Sequence, residues 1–193
     1  MFLRFGNDIP HLNSQYQQRT PLIIQEPNEY YYLDLRAINV GPETLRINPS
    51  VFKLRPDGSG GCFIDSGSSV SFLVNVAYQK FERALKRRIV AENPGITVVS
   101  GGRRLCFKQP RPRTRTRFPK VTFHFANNAK FEIEPDAYMM GFTNPNPQVY
   151  CLMIVPSNSL TMLGANQQVN HRIIYDIVNS ELLFSRTNCF SNN

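Results

Sequence analysis

No apolar run in these 193 residues approaches 18, so no transmembrane helix is expected and no membrane partner follows. The four cysteines contain no Cys-x-x-Cys, which argues against a zinc site, and no other metal is implied. The three histidines, at positions 11, 124 and 171, suggest no Ser-His-Asp or Cys-His nucleophile. No Asn-x-Ser/Thr acceptor exists, because Asn48-Pro49-Ser50 is blocked by its proline. No internal repeat or low-complexity domain is visible. Met1-Phe2-Leu3-Arg4-Phe5-Gly6 has too short an apolar stretch to read as a signal peptide. The sharpest absence is local. Residues 93–131 contain no Asp or Glu and nine basic residues, namely Arg103, Arg104, Lys108, Arg111, Arg113, Arg115, Arg117, Lys120 and Lys130. The whole chain carries a net +8, so everything outside that stretch sums to −1 and the basicity is one surface feature.

What is present suits one domain with a sizeable core. Fourteen Pro, eleven Gly and many short apolar runs point to a mainly β fold. One helix stands out, Val76 to Glu92. Ala77, Phe81, Leu85 and Ile89 recur every four residues and should face a sheet, while Lys80, Arg83, Lys86 and Arg87 line the other faces. Asn75 is the expected N-cap, and Asn93-Pro94-Gly95 the stop. Tyr30 to Val40 and Leu45 to Ile47 read as strands, as does Val149 to Val155. Val121 to Phe125 alternates as a half-buried strand and should pair with Phe131-Glu132-Ile133 across Asn127-Asn128, leaving His124 exposed. Glu134 to Tyr138 looks like a helical turn, and Gly141 to Pro147 like a hairpin tip. His171 to Ile177 and Glu181 to Phe184 form a further hairpin. Residues 96–117 read as an insertion. Within it Arg111, Arg113, Arg115 and Arg117 fall at every second position and share one face if the chain is extended. That face could clamp an acidic partner or phosphates, but a solvated loop is the favoured reading. No aromatic is interleaved as base stacking would require, so nucleic acid is not the expected partner.

The most informative stretch is Gly61-Cys62-Phe63-Ile64-Asp65-Ser66-Gly67-Ser68-Ser69. A short apolar strand delivers one carboxylate, Asp65. The small residues after it let the backbone turn and bring N–H and O–H donors to the carboxylate oxygens. Four letters alone would mark only a capped turn.

The context is more specific. Asp65-Ser66-Gly67-Ser68 after a hydrophobic strand resembles the active-site motif of pepsin-like aspartic proteases. The chain is most similar to the C-terminal lobe of their plant nepenthesin-like branch. The resemblance runs in order through Phe5-Gly6-Asn7-Asp8, Tyr31-Tyr32-Leu33-Asp34-Leu35, Ile38-Asn39-Val40-Gly41 and Gly58-Ser59-Gly60-Gly61. It continues through Pro119 to Phe125, Met162-Leu163-Gly164-Ala165-Asn166-Gln167-Gln168 and Ile174-Tyr175-Asp176, to Phe184 and Cys189. It implies a single lobe of the pepsin-like fold (double-psi β-barrel type) with one main α-helix. Residues 1–28 would be a remnant of the lobe junction, with frayed hydrophobics over the first twenty, and 29–193 the C-terminal lobe.

The resemblance also implies roles. Asp65 would be one carboxylate of a proton-sharing dyad that hydrolyses polypeptides. Ser66 would grip its counterpart across the lobes, and Gly67 N–H and the Ser68 hydroxyl would hold the Asp65 oxygens. Gly164 would let a strand cross closely under the Asp65 loop. Cys106 and Cys151 would form a disulfide, leaving Cys62 as a buried thiol and Cys189 unpaired. No cofactor is implied, and the compartment would be extracellular or vacuolar. The departure is that Asp34, Asp57 and Asp176 are not followed by Ser/Thr-Gly, so the sequence holds one such motif where the family uses two. The expectation is a truncated lobe that is inactive by itself, with a homodimer possible in principle but not favoured. A catalytically dead binding or inhibitor protein is the alternative, and the intact Asp65 motif leans against it.

Overall fold

The computed structural model describes residues 3–9, 17–25, 28–102, 104–110, 116–142 and 149–189. Among them, sixteen strands and one long helix make a mainly β architecture. The strands are β1 Gln18–Gln25, β2 Asn28–Leu33, β3 Leu35–Val40, β4 Glu43–Thr44, β5 Cys62–Ile64, β6 Ser71–Val74, β7 Thr97–Gly101 and β8 Arg104–Lys108. They continue with β9 Val121–Phe125, β10 Lys130–Ile133, β11 Met139–Phe142, β12 Val149–Leu152, β13 Ile154–Ser157, β14 Thr161–Leu163, β15 His171–Asp176 and β16 Glu181–Arg186. Helix α1 spans Asn75–Glu92, and the helical turn α2 is Pro135–Tyr138.

Eight strands form the main sheet in the order β13-β6-β14-β5-β2-β1-β16-β15. Two four-stranded sheets, β10-β9-β3-β4 and β11-β12-β8-β7, accompany it. Most pairings are antiparallel, and six of them are hairpins of consecutive strands, as short connections allow. Two are parallel, β14 with β5 and β13 with β6, and they lie side by side. The strand ending at Asp65 is therefore interior to the sheet, with β14 on one side and β2 on the other.

Helix α1 packs as its period dictates. Ala77, Phe81, Leu85 and Ile89 are all fully buried, joined by Tyr78 and Ala84. They meet a core that includes Leu73, Phe107, Phe123, Phe125, Phe131 and Phe184. Cys106 and Cys151 are joined, with a sequence separation of 45 and opposite each other on β8 and β12. Cys62 is a buried free thiol and Cys189 an exposed one.

Several local expectations are corrected. The helix begins at Asn75 itself, Val74 occupies the cap position, and no side chain caps it. Asn75 is the first helical residue rather than the cap, and its side-chain amide N–H donates to Asn158 Oδ1 at 2.5 Å, a tertiary contact. The short strand expected at Leu45 to Ile47 lies earlier, at Glu43–Thr44, where tight pairing to Asn39 and Val40 is available. Val149 to Val155 is two strands in two different sheets, switching at Met153. Thr97–Gly101 and Arg104–Lys108, read as part of an insertion, form a paired hairpin within a sheet. Gln18–Gln25 is held on both sides, by β16 and β2, where fraying was expected through residue 20. His124 is half-buried, with Nε2 covered and unpartnered. Burial, and then the Lys130 cation, lower its pKa. Arg111, Arg113 and Arg115 lie outside the described residues, as does most of the Gly141 to Pro147 tip.

Truncating Phe81, whose ring is fully buried under α1, should cost about 3–5 kcal/mol. A chemical melt of Phe81→Ala displaced by less than roughly 1 kcal/mol would contradict this packing. Reducing Cys106–Cys151 should cost about 2–4 kcal/mol, since it reopens a 45-residue separation in the unfolded chain. A non-reduced peptide map should show that link and leave Cys62 alkylatable only after unfolding.

Candidate active site

Asp65 follows an entirely buried strand, Cys62-Phe63-Ile64. Its own N–H donates to Leu163 O at 3.0 Å, which carries the β5–β14 pairing to the carboxylate. Asp65 is half-exposed, and the loop then turns back on its side chain. Gly67 N–H donates to Asp65 Oδ1 at 2.8 Å, and the Ser68 hydroxyl donates to Oδ2 at 2.7 Å. Each carboxylate oxygen thus has one fixed donor and spare acceptor capacity. Ser66 is exposed, and its hydroxyl makes no hydrogen bond among the described residues.

The loop rests on β14 and the turn after it. Gly164 sits against the loop backbone so closely that a Cβ there would lie 2.3 Å from Val70 O and 2.8 Å from Ser68 O. Only glycine permits that approach. Two backbone bonds secure it, from Ala165 N–H to Ser68 O at 2.7 Å and from Asn166 N–H to Ser69 O at 3.1 Å.

Beneath lies a buried polar cluster to which sequence reading assigned no role. Gly164 N–H donates to Ser71 Oγ at 2.8 Å, and Ser71 Oγ donates to Gln167 Oε1 at 2.5 Å. Gln167 Nε2 donates to Ala137 O at 2.6 Å. Ser71 and Gln167 are essentially inaccessible, as is Thr161, whose hydroxyl accepts from Val74 N–H at 3.2 Å. Buried polar groups satisfied this completely specify one arrangement of the strands they join. Gln167 was visible only as part of a family-like run, because a polar letter in a turn does not announce burial.

Tyr175 lies close enough to Asp65 to feel its charge. Tyr31 and Tyr175 pack with ring centroids 4.9 Å apart. Burial, and then neighbouring Tyr31 and Asp65, push the Tyr175 phenol up to about 12, so it remains a neutral donor beside the carboxylate. Their location in space follows from the pairing of Tyr31 with Ile64, the residue before Asp65. Among the described residues, no group of three or more His, Cys, Asp or Glu is placed to hold a metal ion, and no helix is long and apolar enough to cross a membrane.

The family described as xylanase inhibitor C-terminal matches residues 30–186. Nepenthesin-1 and nepenthesin-2 of Nepenthes gracilis, both aspartic proteinases, are 32% and 31% identical over 162 residues. Each alignment covers 83% of this chain and 36% of the relative, so the chain spans little more than a third of their length. Among solved structures, edgp superposes with a TM-score of 0.74 at 20% identity, covering 91% of this chain and 46% of that one. Basic 7S globulin from soybean gives 0.69 at 19% with the same coverage. At these identities the two structures show a shared fold.

Gly164→Ala should destabilise by about 3 kcal/mol or more, since backbone rather than a flexible side chain occupies the space. An unchanged denaturation midpoint would contradict the close crossing.

Proposed function

The chain belongs to the xylanase inhibitor C-terminal family, the C-terminal lobe of pepsin-like plant aspartic proteases, and on that premise we propose that it contributes one carboxylate to a peptide-hydrolysing aspartic dyad. The observation that carries the proposal is Asp65 itself. It stands half-exposed at the end of an interior strand, with one oxygen fixed by Gly67 N–H and the other by the Ser68 hydroxyl. Asp176 also has one donor on each oxygen, both from Asn179, but it ends an edge strand, whereas Asp65 ends an interior strand and keeps acceptor capacity for a second carboxyl group.

In the proposed reaction, that second carboxyl comes from an N-terminal lobe and shares a proton with Asp65. Two carboxylates about 3 Å apart cannot both ionise, so the pair titrates as a unit. The ionised member takes a proton from a water held between them. The resulting hydroxide equivalent attacks the peptide carbonyl carbon while the protonated member hydrogen-bonds the carbonyl oxygen. Ser66, exposed at the tip of the loop, is the group proposed to bond across the lobes. The substrate is a polypeptide, and no cofactor takes part. Residues 29–193 are proposed as the lobe and 1–28 as its junction. The proposed compartment is extracellular or vacuolar, and the Cys106–Cys151 disulfide supports it because such bonds persist where the environment is oxidising.

One Asp-Ser-Gly in 193 residues makes these residues by themselves an incomplete dyad. At about pH 3–5, where a shared-proton pair operates, wild type and Asp65→Asn should give equal background across a concentration series. Cleavage that rises with the square of concentration and disappears in Asp65→Asn would instead establish a homodimeric dyad. Completed with a nepenthesin-type N-terminal lobe, the protein should cleave a polypeptide, and Asp65→Asn should reduce that to background. Retained cleavage in the variant would overturn the assignment of Asp65. A completed, folded protein that binds a partner enzyme without cleaving any polypeptide would favour the inhibitor reading suggested by the family's description.

A further inference from the structure

Ser66, Gly67 and Ser69 are small and exposed, so apolar burial does little to hold the Asp65 loop in place. Its position rests on hydrogen bonds from beneath, and one turn supplies most of them. In the short helical turn Ala165–Gln168, directly after β14, all four residues bond to the loop or to a group that anchors it. Ala165 and Asn166 act through their backbone N–H groups, on Ser68 O and Ser69 O. Gln167 and Gln168 act through their side chains, and they serve opposite ends of the loop. At its downstream end, Ser71 Oγ accepts from Gly164 N–H at 2.8 Å and donates to Gln167 Oε1 at 2.5 Å. At its upstream end, Gln168 Nε2 donates at 2.9 Å to Leu163 O, the carbonyl that accepts from Asp65 N–H at 3.0 Å. Both lone pairs of that carbonyl are therefore in use.

Side chains of similar length cannot take over these contacts. Gln167 is inaccessible, and it presents an acceptor to Ser71 and a donor to Ala137 O, 2.6 Å from Nε2. A carboxylate offers acceptors only, and a methionine offers no N–H or O–H donor and only a weak sulfur acceptor. Without the Gln167 oxygen, the Ser71 hydroxyl loses the acceptor that orients it toward Gly164 N–H. Without the Gln168 amide, the Leu163 carbonyl keeps only Asp65 N–H to fix its direction.

We infer that Gln167 and Gln168 are positioning residues for Asp65, each fixing one end of the loop that presents the carboxylate. Gln167 also ties that loop to α2, through Ala137. The consequence for catalysis rests on the proteolytic reading, because a displacement of about 1 Å at a reacting group costs about a hundredfold in rate.

The test compares Gln167→Met and Gln168→Met with Ile89→Val, a trim at a fully buried position in the last turn of α1 that lowers global stability. In the 193-residue protein, amide hydrogen exchange is followed at Asp65, at Ala165 and, as a core reference, at Phe123 in β9. Gln168→Met should speed exchange at Asp65, and Gln167→Met at Ala165, by at least about tenfold more than at Phe123, the mark of local opening. Ile89→Val should speed Asp65 and Ala165 no more than Phe123. Equal acceleration of all three amides in the glutamine variants, or wild-type rates at Asp65 and Ala165, would overturn the positioning role. If Gln167→Met does not fold, Gln168→Met, at a half-buried position, applies the same test to the other end of the loop. In the protein completed with an N-terminal lobe, both variants should lower kcat at least about tenfold while KM stays within about threefold, the split expected when only the reacting carboxylate is displaced. An unchanged kcat in both would overturn the inference. A completed wild type that cleaves nothing would instead defeat the proteolytic reading, and the exchange rates would still decide whether the glutamines hold the loop.

Discussion

The close passage of Gly164 beneath the Asp65 loop is the contact on which the rest of the site depends. A side chain there would collide with two backbone carbonyls, so the loop and strand β14 lie within a distance that glycine alone allows. The carboxylate is fixed as a consequence. Its N–H is paired to Leu163, and its oxygens are met by a loop whose own carbonyls are anchored to Ala165 and Asn166. The buried bonds of Ser71 and Gln167 then tie this crossing to β6 and α2. Removing any one partner would strand a buried polar group, which costs more than the bond itself contributes.

The apolar core supports that crossing from behind. α1 leaves β6 directly and buries a continuous stripe of Ala77, Phe81, Leu85 and Ile89. Tyr30 and Tyr31 remain exposed at 51% and 37% on the strand paired with β5 and face opposite sides of it, Tyr30 against Phe63 and Tyr31 against Tyr175.

Sequence alone determined much of this. The four-residue period of α1 identified its buried face, because a helix must hide one stripe. The alternation of Val121 to Phe125 identified its partner Phe131-Glu132-Ile133. Asp65, Ser68 and Gly67 were legible because their contacts are local, within three residues. The disulfide and the glycine crossing came through family-like motifs, since nothing in their spacing names a partner. Tertiary structure alone decided the rest. Asn75 is the first helical residue rather than the cap, and its amide N–H reaches Asn158, 83 residues away. Gln167 is a buried strut because it meets Ser71 across 96 positions. Tyr175 stands beside Asp65 because packing brings it to Tyr31, and the hairpin at residues 97–108 faces α1 to form a groove that neither segment encodes. Periodicity and short-range hydrogen bonds are written along the chain. Contacts between distant segments depend on how the sheets are ordered, and that order is fixed only when the whole core packs.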